Sequence, residues 1–428
     1  MGERLLVVGG GGREHAIAWS LARSSRVDEI LLAPGNAGTA VETKCRNLAI
    51  PASDLDAIVA AADAHEVSMV VVGPEDPLVA GLADRLDAAG IRVFGPSAAA
   101  AQLEGSKAHC KEFLLRHGIP TGAAATFTDA EAALAHLDTL TAVPVVKASG
   151  LAAGKGVIVA ETKAEAAVAI NEILVERRFG DAGGEVLLEE RLFGPEVSIL
   201  AFCDGADFHV MPAAQDHKRL GDGDVGPNTG GMGAFHPSPI ADAALLERVG
   251  NEVIAPTLDA MIDEGRPYLG VLYAGMMLTD DGPKVIEYNC RFGDPETQVV
   301  LPLLESDLLD VFDACIDGTL ATIDIVWRDD AAATVVMASA GYPVRSADPV
   351  TIHGLDAATA LGCTVFHAGT KDVAGVPHTA GGRVLAVTAV RPSLAEAADA
   401  AHQGVAAITF DGAQHRTDIA RATAEVAS

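Results

Sequence analysis

Through the first hundred residues, short apolar runs alternate with stretches whose apolar positions recur at helical spacing. Residues 4–8 (RLLVV), 30–33 (ILLA), 69–73 (MVVVG) and 92–94 (RVF) have the length and composition of strands. Between them, residues 54–64 and 80–89 have helical spacing, and so does REHAIAWSLARS, with apolar residues at 16, 17, 19, 21 and 22. This alternation predicts a parallel α/β domain over residues 1–103. The segment SKAHCKEFLLRHG (106–118) then predicts a helix, ended by Gly118 and by Ile119 ahead of Pro120.

Beyond it, helices are expected at 128–140 and 163–174 and strands at 143–147, 157–160 and 186–190, which makes a small α+β lobe over 125–190. Strands at 197–203 and 208–212 lead into a polar, glycine-dense stretch, QDHKRLGDGDVGPNTGGMGAFHPSP (215–239), read as a long loop. Loops of that length inside compact domains are usually functional or disordered. The interleaving of Asn, Thr, His and Lys with the glycines favours function. A helix at 242–264, strands at 270–278 and 284–288 and a helix at 296–317 follow. Strands at 334–338, 365–368 and 384–390 with a helix at 393–406 predict a last α+β module. The fold class is thus multidomain, α/β and α+β. Its expected parts are 1–103, a central domain from 104–124 and 191–326, the lobe 125–190 and a module over 327–428.

Composition narrows the function. The 428 residues suit two to four domains at about 100–200 residues each. With 59 acidic and 30 basic residues, the formal charge of −29 argues against a nucleic acid or an anionic membrane as partner. A small phosphorylated substrate remains compatible where local Lys, Arg and backbone N–H groups outweigh the field. No apolar run approaches the roughly 18 residues of a membrane span. The start, MGERLLVVGG, enters a strand with no basic leader, so cytoplasmic residence is expected. Six scattered cysteines without a C-x-x-C pair argue against a zinc site or a disulfide scaffold, and Cys290 alone stands among polar neighbours.

Three segments carry candidate chemistry. In VPVVKASGLAAGKGVIVA (143–160), Gly154 and Lys155 match a phosphate loop, but Ser149 and Gly156 break the pattern and a second β-branched run follows where a helix should begin. The segment reads as strand, glycine turn, strand: a hairpin able to cover phosphates with backbone N–H groups and Lys155, while Lys147 projects from the preceding strand. In KVIEYNCRFGDPE (284–296), Glu287 and Asn289 share one strand face and can offer oxygens to a magnesium or manganese ion; Arg291 joins that face if the strand persists. GGGGREHA (9–16) fails the dinucleotide fingerprint in both registers, yet its glycine turn at a helix start, with Arg13 beside it, can receive a phosphate. PGNAG (34–38) and VVGPEDPL (71–78) follow strands at the same expected sheet edge.

In order, GGREHA, APGNAGTA, VVGPEDPLVAGLAD, FGPS with QLEGSKA, KASGLAAGKGV, EE-x-L-x-G-x-E, QDHKR with GPNTGGMGA, IEYNCRFGDPETQ, VFHAGT and GGRVL span essentially the whole chain. This series resembles the phosphoribosylamine–glycine ligase family of the ATP-grasp superfamily. The resemblance implies a Rossmann-like N-terminal domain, a B lobe closing on ATP, a central catalytic domain and a C-terminal domain. It implies that ATP phosphorylates glycine and that the amine of 5-phospho-β-D-ribosylamine displaces the phosphate, in de novo purine biosynthesis. A monomer is expected.

By the same resemblance Lys107 and Lys147 contact ATP phosphates, with Gly154, Lys155 and Gly156 in the covering hairpin. Glu189, Glu190 and Leu192 match the hinge near adenine, Glu196 the ribose carboxylate, and Glu287 and Asn289 the metal ligands. Gly11, Gly12, Arg13 and Asn36, with Glu75 nearby, are candidates at the ribosylamine. Asp216, His217, Lys218, Asn228, Thr229 and Gly230 are expected to shape the acyl-transfer cavity, with Asp216 orienting the amine, and Arg291 and Asp294 to hold glycine or its acyl phosphate. The chain departs from the family's common KADG at Ser149 and from its Asn or Ser at Gly10. Rival expectations are an ATP-grasp enzyme for another acid, such as a biotin carboxylase-like one, and a nucleotide-binding regulator without acyl transfer.

Overall fold

The structure is a computed structural model and describes residues 2–152, 156–345 and 347–421. Its first sheet has five parallel strands in the order Cys45–Asn47, Val27–Pro34, Glu3–Gly9, Met69–Val72, Arg92–Phe94. Both faces of Glu3–Gly9 are covered, as an apolar run without alternation requires. Leu5 and Val7 pack with Ala16, Ile17 and Leu21 of helix Gly12–Ala22. Leu6 and Val8 pack with Leu55, Ile58, Leu82 and Leu86 from the opposite side.

The central sheet is antiparallel, in the order Phe208–Val210, Glu196–Asp204, Leu269–Thr279, Gly282–Asn289. A five-stranded sheet orders Gln215–Asp216, Gly233–His236, Ala331–Ala338, Arg383–Arg391 and Thr364–His367. The lobe sheet orders Ala124–Phe127, Val186–Glu189, Val145–Ala148 and Val157–Val159, and helices Ala130–Thr139 and Lys163–Leu174 complete the lobe. The apolar interior of the lobe, from Ala133 to Leu188, is its own. The first sheet instead shares a core with the rest: Leu5 and Val7 lie in one cluster with Phe202, Phe312, Val336 and Phe366.

Two sequence expectations are corrected. The stretch 215–239 is not one loop: it holds the strand Gln215–Asp216, a hairpin of Arg219–Gly221 with Val225–Asn228, and the strand Gly233–His236. The expected helix 296–317 breaks into Thr297–Val300, a 3-10 turn Leu301–Leu303 and Leu308–Ile316. Pro302 has no N–H to continue the first piece, and Asp307 caps the second by accepting from the Leu309 N–H at 3.0 Å. Residues 242–264 do form one helical stretch, with a π turn at Gly250–Ile254 just ahead of Pro256, where a missing N–H frees a carbonyl. Among the described residues, no helix is long and apolar enough to cross a membrane.

Candidate active site

The strand Gly282–Asn289 ends where the lobe, the central sheet and the first domain meet. Lys147, from lobe strand Val145–Ala148, donates to the Ile286 carbonyl at 3.3 Å. Lys107, at the start of helix Lys107–Arg116, donates to the Gly150 carbonyl at 3.1 Å. Lys218 pairs with Glu196 at 2.7 Å, and Glu196, Ser198, Lys218 and Glu287 line one cleft. Burial raises the Glu287 carboxyl, but Lys218, Lys147, Lys107 and Arg291 outweigh it and leave its pKa lowered. Burial pulls the Lys107 ammonium down, against the attraction of Glu287. The hairpin strand and the acidic strand, far apart in sequence, thus meet as the chemistry requires. Gly156 is placed with its carbonyl accepting from the Ala148 N–H at 2.8 Å; Gly154 and Lys155 lie outside the described residues.

Ser149 does more than cap its turn. Its hydroxyl accepts from the Ala108 N–H at 3.2 Å and meets the Ser106 hydroxyl at 3.2 Å, so it seats the hairpin on the start of the helix that carries Lys107. Glu189 is 3% exposed and sits between two ammonium groups, Lys111 and Lys147, each 2.5 Å away. Its carboxylate is therefore committed to the lysines, and only its backbone is left for an adenine. Glu190 is exposed and accepts from the Ala123 N–H at 3.0 Å, while Leu192 lies against Gly122.

The strand ends at Asn289, so Arg291 reaches the site by turning back, not by strand alternation. It donates to Asn289 Oδ1 at 3.0 Å, to Glu104 Oε1 at 3.0 Å and to Glu75 Oε2 at 3.2 Å. Burial raises the Glu75 carboxyl, yet Arg291 and Arg13 pull it down to about 2. Arg13 donates to the Phe292 carbonyl at 3.1 Å and to Glu14 Oε1 at 2.5 Å. Glu14 also accepts from the Gly11 N–H at 2.6 Å, and a Cβ on Gly73 would come within 2.2 Å of its carboxylate. Gly12 lies against Gln298, which donates to Asp294 Oδ1 at 2.8 Å.

Asn36, a candidate at the ribosylamine, organises its loop in the structure. Its amide donates to the Gly10 and His367 carbonyls at 3.0 and 2.7 Å, and its oxygen accepts from the Gly38 and Thr39 N–H groups. Both donors and both lone pairs are thereby used. Asp216 and Lys218 act on the cleft, but the His217 ring lies 5.7 Å from Phe235, with Nδ1 3.7 Å from Asp224. Burial, and then Arg416, lower its pKa. Thr229 donates to the Lys218 carbonyl at 2.9 Å, and Gly230 is held by Tyr342 and Arg383, which also binds the Asp294 carbonyl at 2.6 Å. Asn228 is exposed on the hairpin. Cys290 is fully buried, and burial pushes its thiol up.

Four residues of the site escaped sequence reasoning: Glu14, Glu104, Lys111 and Arg383. Glu14, Glu104 and Arg383 lay inside quoted motifs, which was the only signal. Lys111 stands in an ordinary helix and pairs across 78 positions.

A lysine-lined cleft beside an antiparallel strand, with Lys147 of a lobe strand set against it, belongs to the ATP-grasp class. Three family models cover the chain: the N domain of phosphoribosylglycinamide synthetase over 3–104, its ATP-grasp (A) domain over 105–297 and its C domain over 332–422. The chain is 52% identical over 418 residues to a phosphoribosylamine–glycine ligase of Xylella fastidiosa, covering 97% of this chain and 95% of that one. It is 54% identical over 421 residues to the trifunctional purine biosynthetic protein adenosine-3 of Gallus gallus, of which it spans 42%. The solved phosphoribosylamine–glycine ligase of Thermotoga maritima superposes with a TM-score of 0.84 at 32% identity, over 97% of this chain and 99% of that one. A biotin carboxylase of Campylobacter jejuni, at 14% identity and a TM-score of 0.72, shares the fold. This chain belongs to the phosphoribosylglycinamide synthetase family.

Proposed function

We propose that the chain joins glycine to 5-phospho-β-D-ribosylamine at the expense of ATP, forming 5′-phosphoribosylglycinamide, ADP and phosphate for purine biosynthesis. The observation that carries this reading is the convergence of Lys107, Lys147 and Lys218 on Glu287 beside Arg291. A carboxylate becomes an acylating agent only once an oxygen is made a leaving group, and a set of cations is what a transferring phosphoryl needs. Lys107 and Lys147 hold the phosphates. The glycine carboxylate oxygen takes the terminal phosphoryl and ADP departs. The ribosylamine nitrogen then attacks the acyl carbon, the carbon–oxygen bond to phosphate breaks, and the nitrogen gives up a proton. Asp216 orients that nitrogen, while Arg291 and Asp294 hold the glycyl group.

Glu287 and Asn289 would hold a magnesium or manganese ion, which when bound supplies charge screening at the terminal phosphates. The donors fit: two oxygen ligands leave the remaining positions to phosphate and water, as hard cations at nucleotide sites prefer. Among the described residues no group of three or more His, Cys, Asp and Glu converges to compete for it. The proposal includes a cytoplasmic monomer divided as 1–103, 104–124 with 191–326, 125–190 and 327–428. Incubating ATP, labelled glycine and freshly generated phosphoribosylamine should yield labelled phosphoribosylglycinamide. Release of ADP that ignores both glycine and the amine would refute the reading.

A further inference from the structure

The hairpin of Arg219–Gly221 and Val225–Asn228 stands largely in solvent, with Val225 61% exposed. A two-stranded hairpin is marginal in water by itself, yet this one carries Lys218 at its root. What holds it is a segment nearly 200 positions later. Arg416 is 1% exposed and grips Asp418 through Nε and Nη2, each at 2.7 Å. The same side chain donates to Asp224 Oδ1 at 2.6 Å and to the Arg219 carbonyl at 3.2 Å. Asp418 accepts from the Gly223 N–H at 2.8 Å, and Asp222 accepts from the Thr417 N–H at 2.8 Å and hydroxyl at 2.5 Å. Tip and root of the hairpin are thus fixed to one buried cation. The Arg219 carbonyl is one residue from Lys218, whose ammonium faces Glu196, Asp216 and Glu287.

We propose that Arg416 is a positioning residue for the ligation, holding the hairpin so that Asp216 and Lys218 face the cleft. The inference rests on the functional reading above, which gives those two residues their work. A displacement of about 1 Å at reacting groups can cost on the order of 10²-fold in rate, and a lysine at 416 keeps the charge while losing the fork that sets the geometry. Asp224, whose side chain is 65% exposed, offers a second handle that leaves the core intact.

The test compares Arg416→Lys, Asp224→Asn and their double variant in the full chain. It measures kcat, the KM of each substrate, thermal unfolding, and isotope scrambling in ATP with glycine alone, which reports acyl phosphate formation. Each single variant is expected to lower kcat about 10-fold and the scrambling rate with it, because Lys218 is one of the cations of the phosphoryl step, with the KM for ATP within about twofold of the parent. The double variant should be no slower than the slower single one, because both act through one brace. Lower unfolding temperatures with unchanged kcat per folded molecule would overturn the proposal, as would an ATP KM that rises in step with the loss of kcat. A parent protein that makes no phosphoribosylglycinamide overturns the functional reading instead, whatever the variants do.

Discussion

Replacing Lys111 by Met should weaken nucleotide binding while sparing glycine and the amine. In the structure Glu189 has two partners, Lys111 on Oε1 and Lys147 on Oε2, each at 2.5 Å. Lys111 also donates to Thr121 Oγ1 at 2.5 Å. When Lys147 turns to a phosphate, Lys111 remains to neutralise Glu189. Without it, the same movement strands a carboxylate that is 3% exposed. Leaving a buried charge unpaired costs about 3–5 kcal/mol. Lys147 can divide itself between the two anions, so the loss felt on binding is that of one charged hydrogen bond, about 1.5–3 kcal/mol. At about 1.4 kcal/mol per decade, the KM for ATP should rise roughly 10- to 100-fold. ADP release with each substrate varied in turn, beside direct nucleotide binding, measures the effect. Adding Glu189→Gln to Lys111→Met should recover part of the affinity, since no charge is then stranded. An ATP KM within twofold of the parent, or a double variant weaker than the single one, would refute the reasoning.

Glu287→Gln should abolish most turnover and lower the unfolding temperature, since it removes a carboxylate from among three lysines; metal-dependent turnover near the parent rate would contradict it. Gly73→Ala should raise the KM for the ribosylamine several-fold by pushing Glu14 off Arg13, because the new methyl would stand 2.2 Å from the Glu14 carboxylate; an unchanged KM argues against Arg13 at that substrate. His367 is buried and lies beside His15, and these two causes lower its pKa to about 3, against roughly 6.5 in the unfolded chain. The unfolded state therefore takes up a proton that the folded state refuses, so stability is complete above pH ~6.5 and falls by up to about 1.4 kcal/mol per pH unit below it. Urea midpoints at pH 7 and 5 should differ less in His367→Asn than in the parent, and equal slopes would count against the assignment.

The parallel sheet was legible because its strands are apolar on both faces and its helices amphipathic; only the three-residue edge strand Cys45–Asn47 left no pattern of its own. The hairpin at 219–228 was read as loop because Gly, Asp and Asn carry no strand propensity. Its pairing is imposed from outside, by Arg416 on its backbone. Glu287 and Asn289 could be placed from strand alternation alone. Arg291 could not, because the strand ends two residues before it and its position is set by Glu75 and Glu104, about 200 positions away. The Asn36 contacts were hidden for a related reason: sequence shows an amide among glycines, but not that four backbone groups meet it.

The lobe's separate interior has a further bearing. Because the lobe's main apolar cluster, among the described residues, contains no side chain of the frame, tilting the lobe toward a nucleotide need uncover little greasy surface elsewhere. What ties grip to scaffold is polar: Ser149 on the Ala108 N–H, Lys147 on the Ile286 carbonyl and Lys111 on Glu189. Substitutions that soften or stiffen residues 130–188 can retune nucleotide turnover over evolutionary time while the platform beneath keeps its shape and its melting point.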